Sequence, residues 1–204
     1  CGEKTYNGAI GVDADTNEIQ NIFEILSVQG YKTGIISTSS VTHATPACYY
    51  AHVSKRSMQY EIAEQIVDSD VDFFAGGGLR FFTKRKDSVD LTKKMNDSGF
   101  YINTEKLEEI QTIKEQNKVG FLLADNAMPK IQDGRGDFLP KATQLGSDFL
   151  KNENGFFMMV EGSQIDWGGH QNDSSYAIAE LIDFDDAIGK ALDFARKDGN
   201  TLVI

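Results

Sequence analysis

Two polar loops carry the side chains whose types and spacing could do chemistry, and the first loop covers residues 161–170. Asp166 and His170 are four positions apart, so one turn of helix would place both side chains on the same face. A carboxylate beside an imidazole suits zinc, whereas Glu161 offers the hard oxygen that magnesium prefers. The alternative is that Asp166 caps a helix and that His170 is an ordinary surface residue. The spacing indicates a metal site but leaves this simpler arrangement open.

The second loop covers residues 39–46 and includes His43, one of the three histidines in the chain. Thr45 precedes Pro46, which is tolerated at the first position of a helix, so Thr45 could be no more than a helix cap. Arg56 follows one helix length later. Its planar guanidinium suits bidentate binding of a phosphate group, and the alternative is an exposed arginine without a ligand.

Alternating strands and helices must position both loops. Apolar periodicity and turn residues predict helices at 17–30, 46–56, 62–67, 142–150 and 174–196, and strands at 33–38, 71–75, 156–160 and 201–204. Asn17 and Gln20 form the capping pair expected at the start of the first helix. This alternation indicates an α/β fold with a mostly parallel sheet flanked by helices. Ligands bind such sheets beyond the carboxyl ends of the strands, where both polar loops lie.

The composition indicates one folded domain with an acidic surface. The chain has 204 residues, of which 40% are hydrophobic, and 31 acidic against 20 basic residues give a net charge of −11. No basic stripe is present, which argues against a nucleic-acid partner. No apolar run approaches the roughly 20 residues that a membrane span needs. Residues from about 79 to 137 alternate charge runs with short apolar pieces, and we expect them to be an elaboration on the core.

Both ends of the chain suggest a piece of a longer protein. The first residue is Cys1, without an initiating Met or a signal-peptide pattern. Residues 201–204 are β-branched and apolar, follow a Gly-Asn turn signal and stop without a further turn. We therefore expect the chain to be cut inside a buried strand.

Four motifs, in order along nearly the whole chain, resemble those of the alkaline phosphatase family. They are KTYNGAIGVD at 4–13, HATP at 43–46 with Ala51-His52, VEGSQID at 160–166 with His170, and GNTLVI at 199–204. The resemblance implies an alkaline-phosphatase-like α/β fold and metal-dependent hydrolysis of small phosphate monoesters. In that family a serine attacks phosphorus, and water activated by zinc then hydrolyses the phosphoserine. Two zinc ions, about 4 Å apart, stabilise the attacking and leaving oxygens.

The resemblance also implies roles for individual residues. Asp166 and His170 match ligands of the zinc that activates water, and Thr45 and Glu161 match magnesium ligands. Arg56 matches the catalytic arginine that binds the phosphate of the substrate.

Two further positions of the site vary within the family. His43 stands where some members have an Asp near the magnesium, which affects how tightly that ion is bound. Trp167 stands near the phosphate, where other members carry Lys or His, so a water-mediated contact with the substrate differs or is absent.

The resemblance implies that parts of the active site lie outside the chain. The Asp-Ser-Ala nucleophile motif would precede Cys1, with an early metal-binding Asp further upstream, and the remaining zinc ligands would follow Ile204. Residues 1–204 are thus predicted to be one partial domain, truncated at both ends, with a variable elaboration at about 79–137. We expect this polypeptide alone to be inactive, or nearly so.

Two alternatives stay open. One is another enzyme of the same superfamily, such as a sulfatase or phosphomutase, and the other is a non-catalytic metal-binding or interaction module. The resemblance also implies export to a periplasm or to the cell exterior, and homodimers are common in the family.

Overall fold

Five parallel strands form the centre of the computed structural model, which describes residues 1–204. The strands are β1 (Lys32–Ser40), β2 (Phe73–Gly77), β3 (Phe100–Asn103), β4 (Lys118–Leu122) and β5 (Phe156–Glu161). Their order across the sheet is β3-β4-β2-β1-β5, and every neighbouring pair is parallel. The predicted α/β class with a parallel sheet is therefore confirmed.

Nine α-helices accompany the sheet. They are α1 (Ile22–Ser27), α2 (Ala44–Ala47), α3 (Gln59–Gln65), α4 (Leu79–Thr83), α5 (Leu91–Asp97), α6 (Ile110–Ile113), α7 (Phe138–Leu150), α8 (Gln164–His170) and α9 (Ser174–Asp198), with 3₁₀ turns at Ile66–Asp68 and Ile131–Asp133. None of these helices combines the length and the apolar composition that a bilayer crossing would need.

The sheet is buried on both faces. Ile35 and Phe74 belong to one apolar cluster of 20 buried residues, and their chain neighbours Ile36 and Phe73 belong to a second cluster of 14. Successive side chains of a strand point to opposite faces, so near-continuous apolar runs are what a doubly covered parallel sheet requires. Helices α7 and α9 pack together over the second cluster, with α7 against β1 and β2.

The segment from about 79 to 137 supplies β3 and β4 to this same sheet. Its strand β4 pairs with β2, so part of the segment expected as an elaboration lies inside the central layer. The expected variability of this segment among relatives stays a prediction.

The first helix is shorter than expected and begins later. Asn21, rather than Asn17, caps it, because Asn21 accepts hydrogen bonds from the backbone of Phe23 and Glu24 while Glu24 accepts one from Asn21. The side chain and backbone of Asn17 instead donate to the carboxylate of Asp13 and close a turn. The predicted capping pair was therefore wrong, although a capping box does start the helix.

Two other predictions were also wrong, one in the length of a helix and one in the presence of a strand. The helix expected at 46–56 is only the short α2, because Val53 leaves it to exchange two backbone hydrogen bonds with Ile10, at 3.0 and 2.9 Å. Residues 201–204 form no strand, since no other strand pairs with them, and Leu202 is 80% exposed.

Gly77 ends β2 beneath the loop that follows β4, and no side chain fits there. A Cβ at this position would overlap the backbone carbonyl oxygen of Asn126 and lie 2.9 Å from the carbonyl carbon of Ala127. Both obstacles are main-chain atoms, so the loop itself would have to move.

We expect Gly77→Ala to lower the free energy of unfolding by about 1–3 kcal/mol because of this overlap. Gly189 in α9 is the matched control, since a Cβ added there would have no other atom within 4 Å. Gly189→Ala should raise stability by about 0.5–1 kcal/mol, the usual gain of alanine over glycine in a helix. Denaturant unfolding of both variants of the full-length protein checks this, and equal stability of Gly77→Ala and wild type would contradict it.

Candidate active site

Glu161 lies at the carboxyl end of β5, directly opposite Ser37 of β1. The Ser37 hydroxyl donates to Glu161 Oε2 at 2.8 Å, and its oxygen lies 2.8 Å from Ser39 Oγ and 2.9 Å from Ser163 Oγ. The backbone N–H of Ser39 donates to Ser163 Oγ at 3.0 Å. A buried set of hydroxyl groups therefore holds one oxygen of the Glu161 carboxylate in place. These serines were not predicted as part of the site.

Asp166 and His170 lie on one face of α8, as their spacing predicts. Asp166 Oδ2 and His170 Nε2 are 3.5 Å apart, and the two side chains are 71% and 79% exposed. Two ligands of one tetrahedral zinc ion are separated by about 3.3 Å, so the pair fits the geometry of a shared ion. No group of three or more His, Cys, Asp or Glu side chains in residues 1–204 is arranged to hold a metal ion. The pair by itself supplies two ligands, and its zinc role stays a prediction.

His43 joins Arg56 and Trp167 at the same edge of the sheet. Arg56 Nη2 lies 3.2 Å from His43 Nε2, and a guanidinium can only donate, so the imidazole accepts this hydrogen bond. The other ring nitrogen, Nδ1, is buried and has no partner. The indole of Trp167 meets the imidazole edge-to-face, with ring centroids 5.8 Å apart.

The environment keeps His43 neutral. Burial lowers the pKa of His43, and the positive charge of Arg56 lowers it further, while Glu161 and Asp166 act in the opposite direction. The net pKa is lowered, which agrees with an imidazole that accepts a hydrogen bond from a cation. His43 thus orients the guanidinium without neutralising its charge.

Thr45 lies inside the first turn of α2 and does not cap it. The cap position belongs to His43, whose side chain makes no capping hydrogen bond. The side chain of Thr45 is exposed, and α2 packs against β1 and β5, the strand that ends at Glu161. Thr45 and Glu161 therefore offer oxygen atoms, the donor type that magnesium prefers, from two elements in contact.

The segment that carries Arg56 is braced by His52, for which no role was predicted. His52 Nδ1 lies 2.7 Å from the carbonyl oxygen of Gly11, and Nε2 lies 2.8 Å from Glu24 Oε1. Both ring nitrogens face acceptors, which only the doubly protonated imidazolium satisfies. Burial lowers the pKa of His52, but the hydrogen bonds to Gly11 and Glu24 outweigh burial, and the net pKa is raised.

Arg56 is also tied by its own backbone to the N-terminal segment. Its N–H donates to the carbonyl oxygen of Gly8 at 2.7 Å, close to the bridge between Val53 and Ile10. The left-handed backbone of Gly11, with φ of 59°, lets the segment pass close to His52. Residues 8–12 therefore fix the main chain from which Arg56 extends.

The family model described as alkaline phosphatase matches residues 1–204. The chain belongs to the alkaline phosphatase family. Alkaline phosphatase 4 of Bacillus subtilis is 40% identical over all of this chain. The structure of the alkaline phosphatase from the Antarctic bacterium TAB5 superposes with a TM-score of 0.96 at 54% identity and covers 98% of this chain. A TAB5 variant with aspartate in place of a histidine has been solved with Mg bound in its M3 site, and it matches this chain equally well.

The chain spans about half the length of its alkaline phosphatase relatives. It covers 45% of the Bacillus subtilis protein and 59% of the TAB5 chain. The resemblance inferred from the four motifs is confirmed, and so is the fold. The roles assigned to individual site residues stay predictions.

We expect the stabilising effect of His52 to decrease as the pH rises. Because the pKa of His52 is raised in the folded state, its contribution is complete below the ordinary value of 6.5 and is lost as the pH rises through the folded-state pKa. The stability difference between wild type and His52→Gln should therefore shrink from pH 6 towards pH 9, measured by urea unfolding at about six pH values.

Glu153→Gln is the control for this titration, because Glu153 is an exposed carboxylate without an ion pair. Its stability difference from wild type should not follow the His52 curve. A His52→Gln difference that stays constant from pH 6 to 9 would contradict an imidazolium held between Gly11 and Glu24.

Proposed function

We propose that the full-length protein carrying this chain hydrolyses phosphate monoesters in a metal-dependent reaction through a phosphoserine intermediate. The observation that carries the proposal is the convergence of Arg56, Glu161 and the Asp166–His170 pair at the carboxyl edge of a sheet with the alkaline phosphatase fold. The chain spans only part of its relatives, so the activity is proposed for the longer protein.

Arg56 is the proposed phosphate-binding and catalytic cation. One guanidinium nitrogen donates to His43, which leaves the remaining N–H groups of Arg56 for the oxygens of a phosphate. His43 keeps its single ring proton on Nδ1 and so holds Arg56 as a neutral acceptor. The indole of Trp167 packs edge-to-face against the imidazole of His43. Trp167 is therefore the proposed neighbour of the substrate.

The proposed metal ligands divide by donor chemistry. Asp166 and His170 would hold zinc, and Glu161 and Thr45 would hold magnesium with oxygen atoms. His43 beside them offers nitrogen, a poorer magnesium donor than carboxylate oxygen, so magnesium binding should be weaker than with Asp at this position. When bound, zinc supplies Lewis-acid stabilisation of the attacking and leaving oxygens.

The serines already present at the site are poor candidates for the nucleophile. Ser37 and Ser39 are fully inaccessible, Ser163 is 6% exposed, and their hydroxyls are engaged with one another or with Glu161. We propose that the attacking serine and the remaining zinc ligands come from parts of the protein outside these residues. The 204-residue chain alone should then be inactive.

The family also supports two proposals about the protein in its cell. Export to a periplasm or to the cell exterior, and assembly as a homodimer, are both proposed by analogy with alkaline phosphatases. Phosphate monoesters are the proposed substrates, and an acidic chain gives no support to a nucleic-acid partner.

Hydrolysis of a chromogenic phosphate monoester tests the proposal. The 204-residue chain and the full-length protein should be compared with zinc and magnesium added, and again after chelation. We expect activity from the full-length protein alone, and its loss on chelation. Folded full-length protein without activity would contradict the proposed function and favour a non-catalytic metal-binding module, whereas activity of the chain alone would contradict the proposed origin of the serine.

Removal of the Arg56 guanidinium tests its role separately. Arg56→Ala in the full-length protein should lower kcat/KM by about 10- to 100-fold, because charge-assisted hydrogen bonds contribute about 1.5–3 kcal/mol. Lys55→Ala removes an exposed cation from the adjacent position and should leave kcat/KM near wild type. An equal loss of kcat/KM in both variants would mean that only the general positive charge of this segment matters. Wild-type kcat/KM in Arg56→Ala would contradict the proposed role of Arg56.

A further inference from the structure

Gln164 is a buried amide whose side-chain hydrogen-bonding groups are engaged at both ends. It is 1% exposed, and its Nε2 donates to the carbonyl oxygens of Thr38 at 2.9 Å and Met128 at 2.7 Å. Its Oε1 accepts a hydrogen bond from the Tyr176 hydroxyl at 2.7 Å. Burying an amide is unfavourable without such partners, so the arrangement holds the side chain in one orientation.

Gln164 lies on the face of α8 opposite the proposed zinc ligands. The buried residues of α8 are Gln164 and Gly168, one turn apart, whereas Asp166 and His170 are displaced from them by two positions, or about 200° around the helix. A helix of seven residues is not stable alone, so packing on its inner face sets its direction. The direction of α8 in turn determines where the side chains of Asp166 and His170 lie.

The partners of Gln164 belong to three separate parts of the fold. Thr38 lies in β1, Met128 lies in the loop after β4, and Tyr176 lies in α9. Gly168 adds a close approach, because a Cβ there would be 2.7 Å from the backbone nitrogen of Ala177. The start of α8 is thereby fixed to the sheet, and its middle is fixed to α9.

The loop that presents Met128 is itself locked to α9. Arg135 is buried, donates to the carbonyl oxygen of Pro129 at 3.0 Å, and pairs with Glu180 and with Asp183, the latter at 2.7 Å. The N–H of Ile131 donates to the same Glu180 carboxylate at 3.0 Å. The buried ionic cluster therefore fixes the loop whose Met128 carbonyl oxygen accepts the hydrogen bond from Gln164.

We propose that Gln164 is a positioning residue that sets the orientation of α8 and, through it, the zinc affinity of the Asp166–His170 pair. This inference rests on the proposed zinc role of those two residues. An apolar side chain of similar length at position 164 would fill the space but leave the two carbonyl oxygens and the tyrosine hydroxyl without their partner. The start of α8 would keep the contacts of Ser163 with β1 but would lose the side-chain hydrogen bond from Gln164 to Thr38 that sets its direction.

The test measures zinc affinity in the full-length protein by competition with a chromogenic chelator, together with the melting temperature of the metal-free protein. Gln164→Met should raise the zinc dissociation constant about tenfold, in the range typical of residues that orient metal ligands. Gln111→Met is the matched control, because Gln111 is an exposed glutamine of α6. It should leave the zinc dissociation constant unchanged.

Tyr176→Phe provides a second variant that keeps the buried ring and removes one of the hydrogen bonds to Gln164. We expect a smaller rise in the zinc dissociation constant in the same direction, and this variant decides the question if Gln164→Met does not fold. A lower melting temperature of the metal-free variants with unchanged zinc affinity would overturn the inference, since Gln164 would then be structural only.

Asp166→Ala separates this inference from the proposed function. If Asp166→Ala weakens zinc binding and Gln164→Met and Tyr176→Phe do not, only the positioning role fails. If Asp166→Ala leaves every zinc dissociation constant unchanged, the proposed zinc site fails and the inference about Gln164 fails with it.

Discussion

The parallel register between β1 and β5 places Ser37 opposite Glu161, and the geometry of the site follows from this pairing. Both strands end at the same edge of the sheet, so the loop with His43 and the helix with Asp166 start from fixed points beside each other. The hydrogen bond from Ser37 then holds the Glu161 carboxylate within this register. A shift of one residue would send Glu161 to the opposite face of the sheet and separate it from the other site residues.

The carboxyl end of β1 shows what this arrangement requires of a buried strand. Ser37, Thr38, Ser39 and Ser40 are all buried, where apolar residues would be the usual choice. Buried hydroxyl groups need partners, and here Ser37 bonds to Ser39, Ser163 and Glu161, Thr38 bonds to Ser163, and Ser40 bonds to Thr42. The apolar half of β1 stabilises the sheet, and its polar half supports the site. A single strand thus serves both purposes.

The parts of the structure that sequence patterns predicted well depend on local periodicity. Helices α7 and α9 and strands β1, β2 and β5 follow from apolar spacing, and the site loops follow from polar residues placed just after apolar strands. The helix expected at 46–56 failed because Val53 pairs with Ile10, a partner far away in the sequence. His52 and Gln164 could not be found in this way, since the groups they bind are mainly backbone carbonyls, which every residue carries.

The hydrogen bond from Arg56 to the neutral imidazole of His43 has a consequence for the turnover that we propose. An arginine already held in one orientation loses little rotational freedom when an oxyanion arrives, so capture of the phosphate group is favoured. In the proposed reaction, inorganic phosphate would present the same oxygens after cleavage of the ester and would gain from the same preorganisation. A carboxylate in place of His43 would offset part of the guanidinium charge, whereas the imidazole leaves that charge undiminished for both ligands. Under the proposed function, tight capture of the substrate and slow departure of the product would therefore be two results of this one hydrogen bond.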